Sequence, residues 1–163
     1  MTPVILMATK TNAVRLIQQA GITCEERFYD YDEHDLRGTH AADAIGMSQE
    51  AVFKTLVCRG DRCGILVYCI PVCCELDLKK AAKCASDKKV EMVPVKELLN
   101  LTGYIRGGCS PVGMKKKYPT FLDETCQLHE VIAVSAGERG HQMLLDPLQL
   151  ADYLHAQLVD IIV

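Results

Sequence analysis

No apolar run in this chain is long enough to cross a bilayer: the longest, Ile65 to Cys74, is about half of the roughly 20 residues a transmembrane helix needs. No two cysteines stand in C-x-x-C spacing and no two histidines in H-x-x-x-H, which excludes the common structural metal motifs. Gly-x-Ser-x-Gly is absent, as is any ordered Ser, His and acid set, so a triad hydrolase is excluded. Neither a P-loop nor a dinucleotide fingerprint appears. Internal repeats, low-complexity tracts and linkers are missing too. Residues Pro3 to Ala8 are apolar, but no basic segment precedes them and no small-residue cleavage site follows, so a signal peptide is not expected. Positive charge is not in excess: the formal net charge is −3, which gives no global attraction to nucleic acid and no expectation of DNA binding.

What is present is ordinary globular composition. Of 163 residues, 49% are hydrophobic and 24% charged, which predicts one domain over residues 1–163 with a full core. The nine cysteines are an odd number without a secretory signal, so free thiols in a reducing, cytoplasmic compartment are expected. No metal and no cofactor is called for. Lysines gather at 79, 80, 83, 88 and 89 and again at 115, 116 and 117. They are either solvated faces or two phosphate-facing patches.

Punctuation along the chain outlines the elements. Thr11 or Asn12 can cap a helix carrying Val14, Ile17 and Ala20 on one face, with Gly21 as its stop. Residues 23–31 read as a strand, and a short helix runs from Thr39 to Gly46. Ser48 can cap a further turn. Residues 53–59 and 64–70, separated by Arg59-Gly60-Asp61-Arg62, form the clearest hairpin signal. Asp77 can cap a helix over Leu78 to Ala85, and a short strand is expected at 90–93. Pro94 and Gly103 bracket a helix with Leu98 and Leu101 on its buried face. Residues 103–118 hold four of the 11 glycines and read as a functional loop. Strands at 118–123, 130–135 and 141–145 follow, then a helix from Asp146-Pro147 through Leu154 and a terminal apolar run, 158–163. The pattern predicts an α+β fold with a mixed, largely antiparallel sheet that curls toward a barrel.

Three features carry candidate chemistry. Lys54 interrupts the apolar run Val52-Phe53-Lys54-Thr55-Leu56-Val57, and such a lysine either snorkels to the surface or serves an anionic ligand. The glycine-rich stretches 107–113 and 135–140 can bring backbone N–H groups close to a ligand, and together with Lys54 they can form one site. Cys109, beside Gly108, is either a nucleophile or a packing thiol.

Beyond these signals, several motifs resemble the YbaK branch of the aminoacyl-tRNA deacylases. They are Val52-Phe53-Lys54-Thr55-Leu56, Leu76-Asp77-Leu78-Lys79-Lys80-Ala81-Ala82-Lys83, Lys88-Lys89-Val90-Glu91-Met92, Thr102-Gly103-Tyr104 through Lys116, and Val134-Ser135-x-Gly137-x-Arg139-Gly140. The resemblance covers nearly the whole chain in order. It implies hydrolysis of a mischarged tRNA, chiefly Cys-tRNA(Pro), with Cys-tRNA(Cys) as a further substrate. On this view Lys54 holds the tRNA acceptor end and Gly107 and Gly108 supply backbone donors to the ester. Thr55, Ser135 and Gly137 belong to the pocket and Tyr31 to its entrance. Lys79, Lys80, Lys83, Lys115 and Lys116 become candidates for tRNA contact, and prolyl-tRNA synthetase the expected partner. The substrate's own thiol would replace the missing nucleophile. Cys109, Cys73-Cys74, Glu138 and Gln142 depart from the usual residues around the pocket, which keeps alanine or serine as alternative targets beside cysteine. A non-catalytic module that binds tRNA or a synthetase is the other reading.

Overall fold

The computed structural model describes residues 10–163, so the apolar segment Pro3 to Ala8 lies outside the described residues. Among them, five α-helices and two β-sheets alternate along the chain. Helix α1 (Asn12–Gln19) starts at Thr11, whose side chain accepts the N–H of Val14, and ends before Gly21 in the left-handed conformation that a Cβ disfavours. Its face of Ala13, Val14 and Ile17 is buried in the main core. Strand β1 (Cys24–Phe28) is shorter than the sequence suggests. After it, Tyr29 N–H still donates to Gly140 O, but the chain then turns back on itself through a bridge between Asp32 and Asp35. Helix α2 (Gly38–Ile45) stops at Gly46, and Ser48 precedes a 3-10 turn (Gln49–Ala51) without a side-chain cap bond.

Strands β2 (Phe53–Gly60) and β3 (Gly64–Pro71) form the expected antiparallel hairpin. Asp87 closes its turn: the carboxylate accepts N–H groups of Arg62 and Cys63 at 3.0 and 2.9 Å. Helix α3 (Leu78–Cys84) is capped by Asp77, which accepts from Lys79 and Lys80 N–H. Strand β4 (Val90–Met92) and helix α4 (Val95–Thr102) follow. Residues 103–119 contain no helix or strand. Side chains satisfy their backbone instead: Thr102 accepts from Tyr104 N–H at 3.0 Å, and Tyr104 and Tyr118 hydroxyls donate to Val112 O and Leu101 O at 2.5 and 2.6 Å. Strands β5 (Thr120–Asp123), β6 (Ile132–Ser135) and β7 (His141–Leu145), helix α5 (Pro147–Leu154, capped by Asp146) and β8 (Gln157–Val159) complete the chain.

The sheets have strand orders β1-β7-β6 and β4-β2-β3-β5-β8. Four strand pairs are antiparallel, while β3–β5 and β5–β8 are parallel, so the α+β class with a mixed, largely antiparallel arrangement holds. Instead of one curled sheet there are two open ones, joined by a parallel bridge between Val52 and Ala133. Alternation along β3 sorts the core: Val67 and Cys69 face the cluster shared with α1, β6, β7 and α5, whereas Leu66, Tyr68 and Ile70 face α3 and Ile161. Leu98 and Leu101 are only half-buried, and Thr102 is the buried residue of α4. The helix roofs a cleft, so its inner face meets open space rather than core.

Candidate active site

The seam between the two sheets opens into a cleft of about 680 Å³, a size suited to a small-molecule ligand. Lys54, Thr55, Gly107 and Ser135 all line it, so one strand and both glycine-rich stretches converge as the sequence suggested. The convergence has a register cause. Val52 pairs with Ala133 in parallel, and two residues further along each strand come Lys54 and Ser135. Among the described residues no carboxylate lies within ion-pair distance of the Lys54 ammonium. Its charge is felt at Cys74, where burial nevertheless dominates and pushes the thiol up to about 11. Thr55 Oγ1 lies 3.7 Å from Cys69 Sγ, and Ser135 Oγ accepts the Gly137 N–H at 3.1 Å.

The two glycine-rich stretches pack on one another. A Cβ on Gly108 would stand 3.0 Å from the backbone of Glu138 and Arg139, and Arg139 Nε donates to Arg106 O at 2.9 Å. Gly107 has φ +86°, the left-handed region that glycine adopts freely. Only Gly107 of the pair lines the cleft. Gly108 is buried behind it, and its N–H donates to Ile105 O at 3.0 Å. Gly137 faces the Tyr104 ring rather than the cleft. Tyr31 borders a small cavity beside it, where Tyr29, which lines both, stands between.

None of the five candidate lysines lines the cleft. Lys79, Lys80 and Lys83 sit on α3, and Lys80 is paired with Asp160 at 3.0 Å and donates to Ile162 O. Lys115 and Lys116 lie in the irregular segment before β5. The cations that do line the cleft beside Lys54 are Arg37 and Arg106, which the sequence reading passed over. Arg106 immediately precedes Gly107, a position that could have marked it. Arg37 forks onto Asp35 at 2.7 and 2.9 Å, which holds that carboxyl down at about 2.

Cys109 lines the cleft, but burial pushes its thiol up to about 12. A protonated thiol is a weak nucleophile, which favours the packing reading of Cys109 over the covalent one. Cys58 and Cys69 are likewise pushed up to about 12 by burial, and all nine cysteines are free. Behind the cleft, His141 is 1% exposed and sits between Glu26 and Glu138, its ring nitrogens 2.9 and 2.7 Å from their carboxylates, with Phe28 stacked on the ring. This clamp ties β1 to the 135–140 turn. Among the described residues no helix is long and apolar enough to cross a membrane.

The profile of the aminoacyl-tRNA editing domain matches residues 38–153, which include Lys54, both glycine-rich stretches and the cleft-lining residues other than Tyr29, Leu36 and Arg37. The provisionally named Cys-tRNA(Pro)/Cys-tRNA(Cys) deacylase EbsC of Enterococcus faecalis is 44% identical over 152 residues, 93% of each chain. Among solved structures, a protein provisionally described as a trans-editing enzyme for prolyl tRNA synthetase superposes with a TM-score of 0.78 at 23% identity, covering 95% of this chain and 99% of its own. The hypothetical protein APE2540 superposes with a TM-score of 0.83 at 21% identity, covering 91% and 97%. Those two likenesses speak for the fold; the profile and the close relative speak for descent, and this chain belongs to the aminoacyl-tRNA editing domain family.

Proposed function

We propose that this protein is a trans-editing deacylase, with one editing domain over residues 1–163, that removes cysteine from mischarged tRNA(Pro) in the cytoplasm, with Cys-tRNA(Cys) as a second substrate. The observation that carries the reading is the cleft itself: a lysine with no ion-pair partner among the described residues, a glycine-lined wall and two hydroxyls converge there, and the thiol that lines it, Cys109, is pushed up to about 12 by burial. A 44% identical relative named for this activity supports the amino acid. Proline and cysteine are close in size, so a synthetic site cannot reject cysteine strongly and a second site must correct it.

On this reading the attacking atom comes from the substrate rather than from Cys109. The cysteinyl sulfur adds to its own ester carbonyl carbon, a C–S bond forms, and the C–O bond to the terminal ribose breaks. The thiol proton ends on the ribose oxygen, and water later opens the released thiolactone. The protein's part is position and electrostatics. Lys54 and Arg106 hold the phosphates and terminal ribose, and the Gly107 N–H faces the carbonyl oxygen as negative charge develops there. Gly108 acts by close packing on the 138–139 backbone, since its own N–H is engaged. Thr55 and Ser135 hydroxyls border the space where the thiol folds back. Prolyl-tRNA synthetase is the proposed partner that delivers the tRNA.

The test is release of radiolabelled amino acid from Cys-, Ala-, Ser- and Pro-tRNA by the purified protein. Cleavage of Cys-tRNA(Pro) well above buffer, with Pro-tRNA spared, is expected. Preference for Ala- or Ser-tRNA would reassign the substrate, and binding without turnover would make the protein a tRNA-binding module.

A further inference from the structure

Gln142 lies on β7, opposite Arg27 of β1 and Ser135 of β6, and lines the cleft. It is 6% exposed, and its Oε1 is the one buried side-chain polar atom without a hydrogen-bond partner among the described residues. A buried acceptor left unpaired is costly and rare in a folded protein, and a ligand donor is a physical reason to keep one.

The charges around it define that donor. Lys54, Arg37 and Arg106 line the cleft, and no Asp or Glu does. The nearest carboxylates in sequence and register, Glu26 and Glu138, are engaged by His141 behind the sheet. An aminoacyl ester brings an α-amino group into this space, where the acceptor left unpaired is the Gln142 amide oxygen. It takes an N–H from either the amine or the ammonium form, whereas a thiol S–H is a weak donor by comparison.

We propose that Gln142 reads the α-amino group of the aminoacyl ester and so fixes which way the side chain, and its thiol, points in the cleft. The assignment rests on the deacylase reading for the identity of the ligand. It extends that reading by separating recognition of the common amino group from recognition of the thiol.

The test uses two hydrolysis-resistant probes: 3′-amino-3′-deoxyadenosine carrying, in amide linkage, either cysteine or 3-mercaptopropionate, which keeps the thiol and lacks the amino group. Binding is measured by titration calorimetry to the unaltered protein and to Gln142→Leu and Gln142→Glu. The wild type should prefer the cysteinyl probe by about 10-fold, Gln142→Leu should lose that preference, and Gln142→Glu, which keeps an acceptor, should retain it. An undiminished preference in Gln142→Leu overturns the assignment. So does an equal loss for both probes, which would mark a packing or thiol role, and so does a wild type that ignores the amino group or binds neither probe. The underlying reading is judged separately on Cys-tRNA. Preference without hydrolysis refutes the deacylase and leaves Gln142 its role, while hydrolysis without preference refutes the role alone.

Discussion

Val52 of the strand leading into β2 and Ala133 of β6 pair in a single parallel bridge, and that pairing brings Lys54 level with Ser135 at the mouth of the cleft. The geometry of the cleft hangs on this seam, because among the described residues no other strand pairing connects the two sheets.

Lys54→Ala should lower deacylation of Cys-tRNA by at least about 10-fold, the worth of one charge-assisted contact, while stability changes by no more than about 0.5 kcal/mol. Lys54 is only half-buried and has no ion-pair partner among the described residues to be orphaned by its loss. Single-turnover release together with thermal melting checks both halves. Undiminished activity would remove Lys54 from the site.

Cys109→Ala should keep activity within about 3-fold and cost about 1 kcal/mol of stability if the half-buried, protonated thiol packs rather than attacks. Intact-protein mass spectrometry during turnover should show no acyl adduct. An adduct at Cys109 would overturn substrate-assisted cleavage.

Gly108→Ala should slow the reaction by about 10-fold or more and cost about 1–3 kcal/mol, since the new methyl group meets immovable backbone at 138–139. Gly21→Ala is the control. It has open space around it and only a left-handed φ of +77° to strain, so it should cost about 1–2 kcal/mol and leave the rate of folded protein unchanged.

Arg106→Ala should raise KM for tRNA and flatten its log–log salt dependence by about 1, the signature of one lost phosphate contact. Lys80→Ala should leave both untouched, because Lys80 already pairs with Asp160 away from the cleft. Equal effects of the two variants would place the tRNA path over α3 instead.

Asp87 predicts the acid limb of stability. The Cys63 N–H, followed by those of Arg62 and Lys88, holds the carboxylate well below its ordinary value of 3.8, against the opposing effect of burial. A depressed folded value stabilises in full above the unfolded one and is lost as pH falls through the folded one. Melting temperature should therefore decline below about pH 4. Asp87→Asn should melt lower at pH 7 and decline less on acidification, as measured by circular dichroism across that range.

Much of this protein is written locally. The β2–β3 hairpin, the caps Thr11, Asp77 and Asp146, and the stops Gly21, Gly46 and Gly103 follow from turn chemistry and periodicity that act over a few residues. Lys54 and the two glycine-rich stretches also stand out in the sequence, through a charge in an apolar run and small residues in clusters. What tertiary structure alone decides is adjacency. Residues 54 and 135 are made neighbours by a bridge of high sequence separation, while Gly108 lies behind the wall and Arg37 and Arg106, not the candidate lysines of the clusters, line the cleft. Lysine clusters announce a charge but not its direction, and α3 turns its lysines toward Asp160 and solvent. The unpaired oxygen of Gln142 is legible only in three dimensions, because a buried acceptor is defined by the partners it lacks.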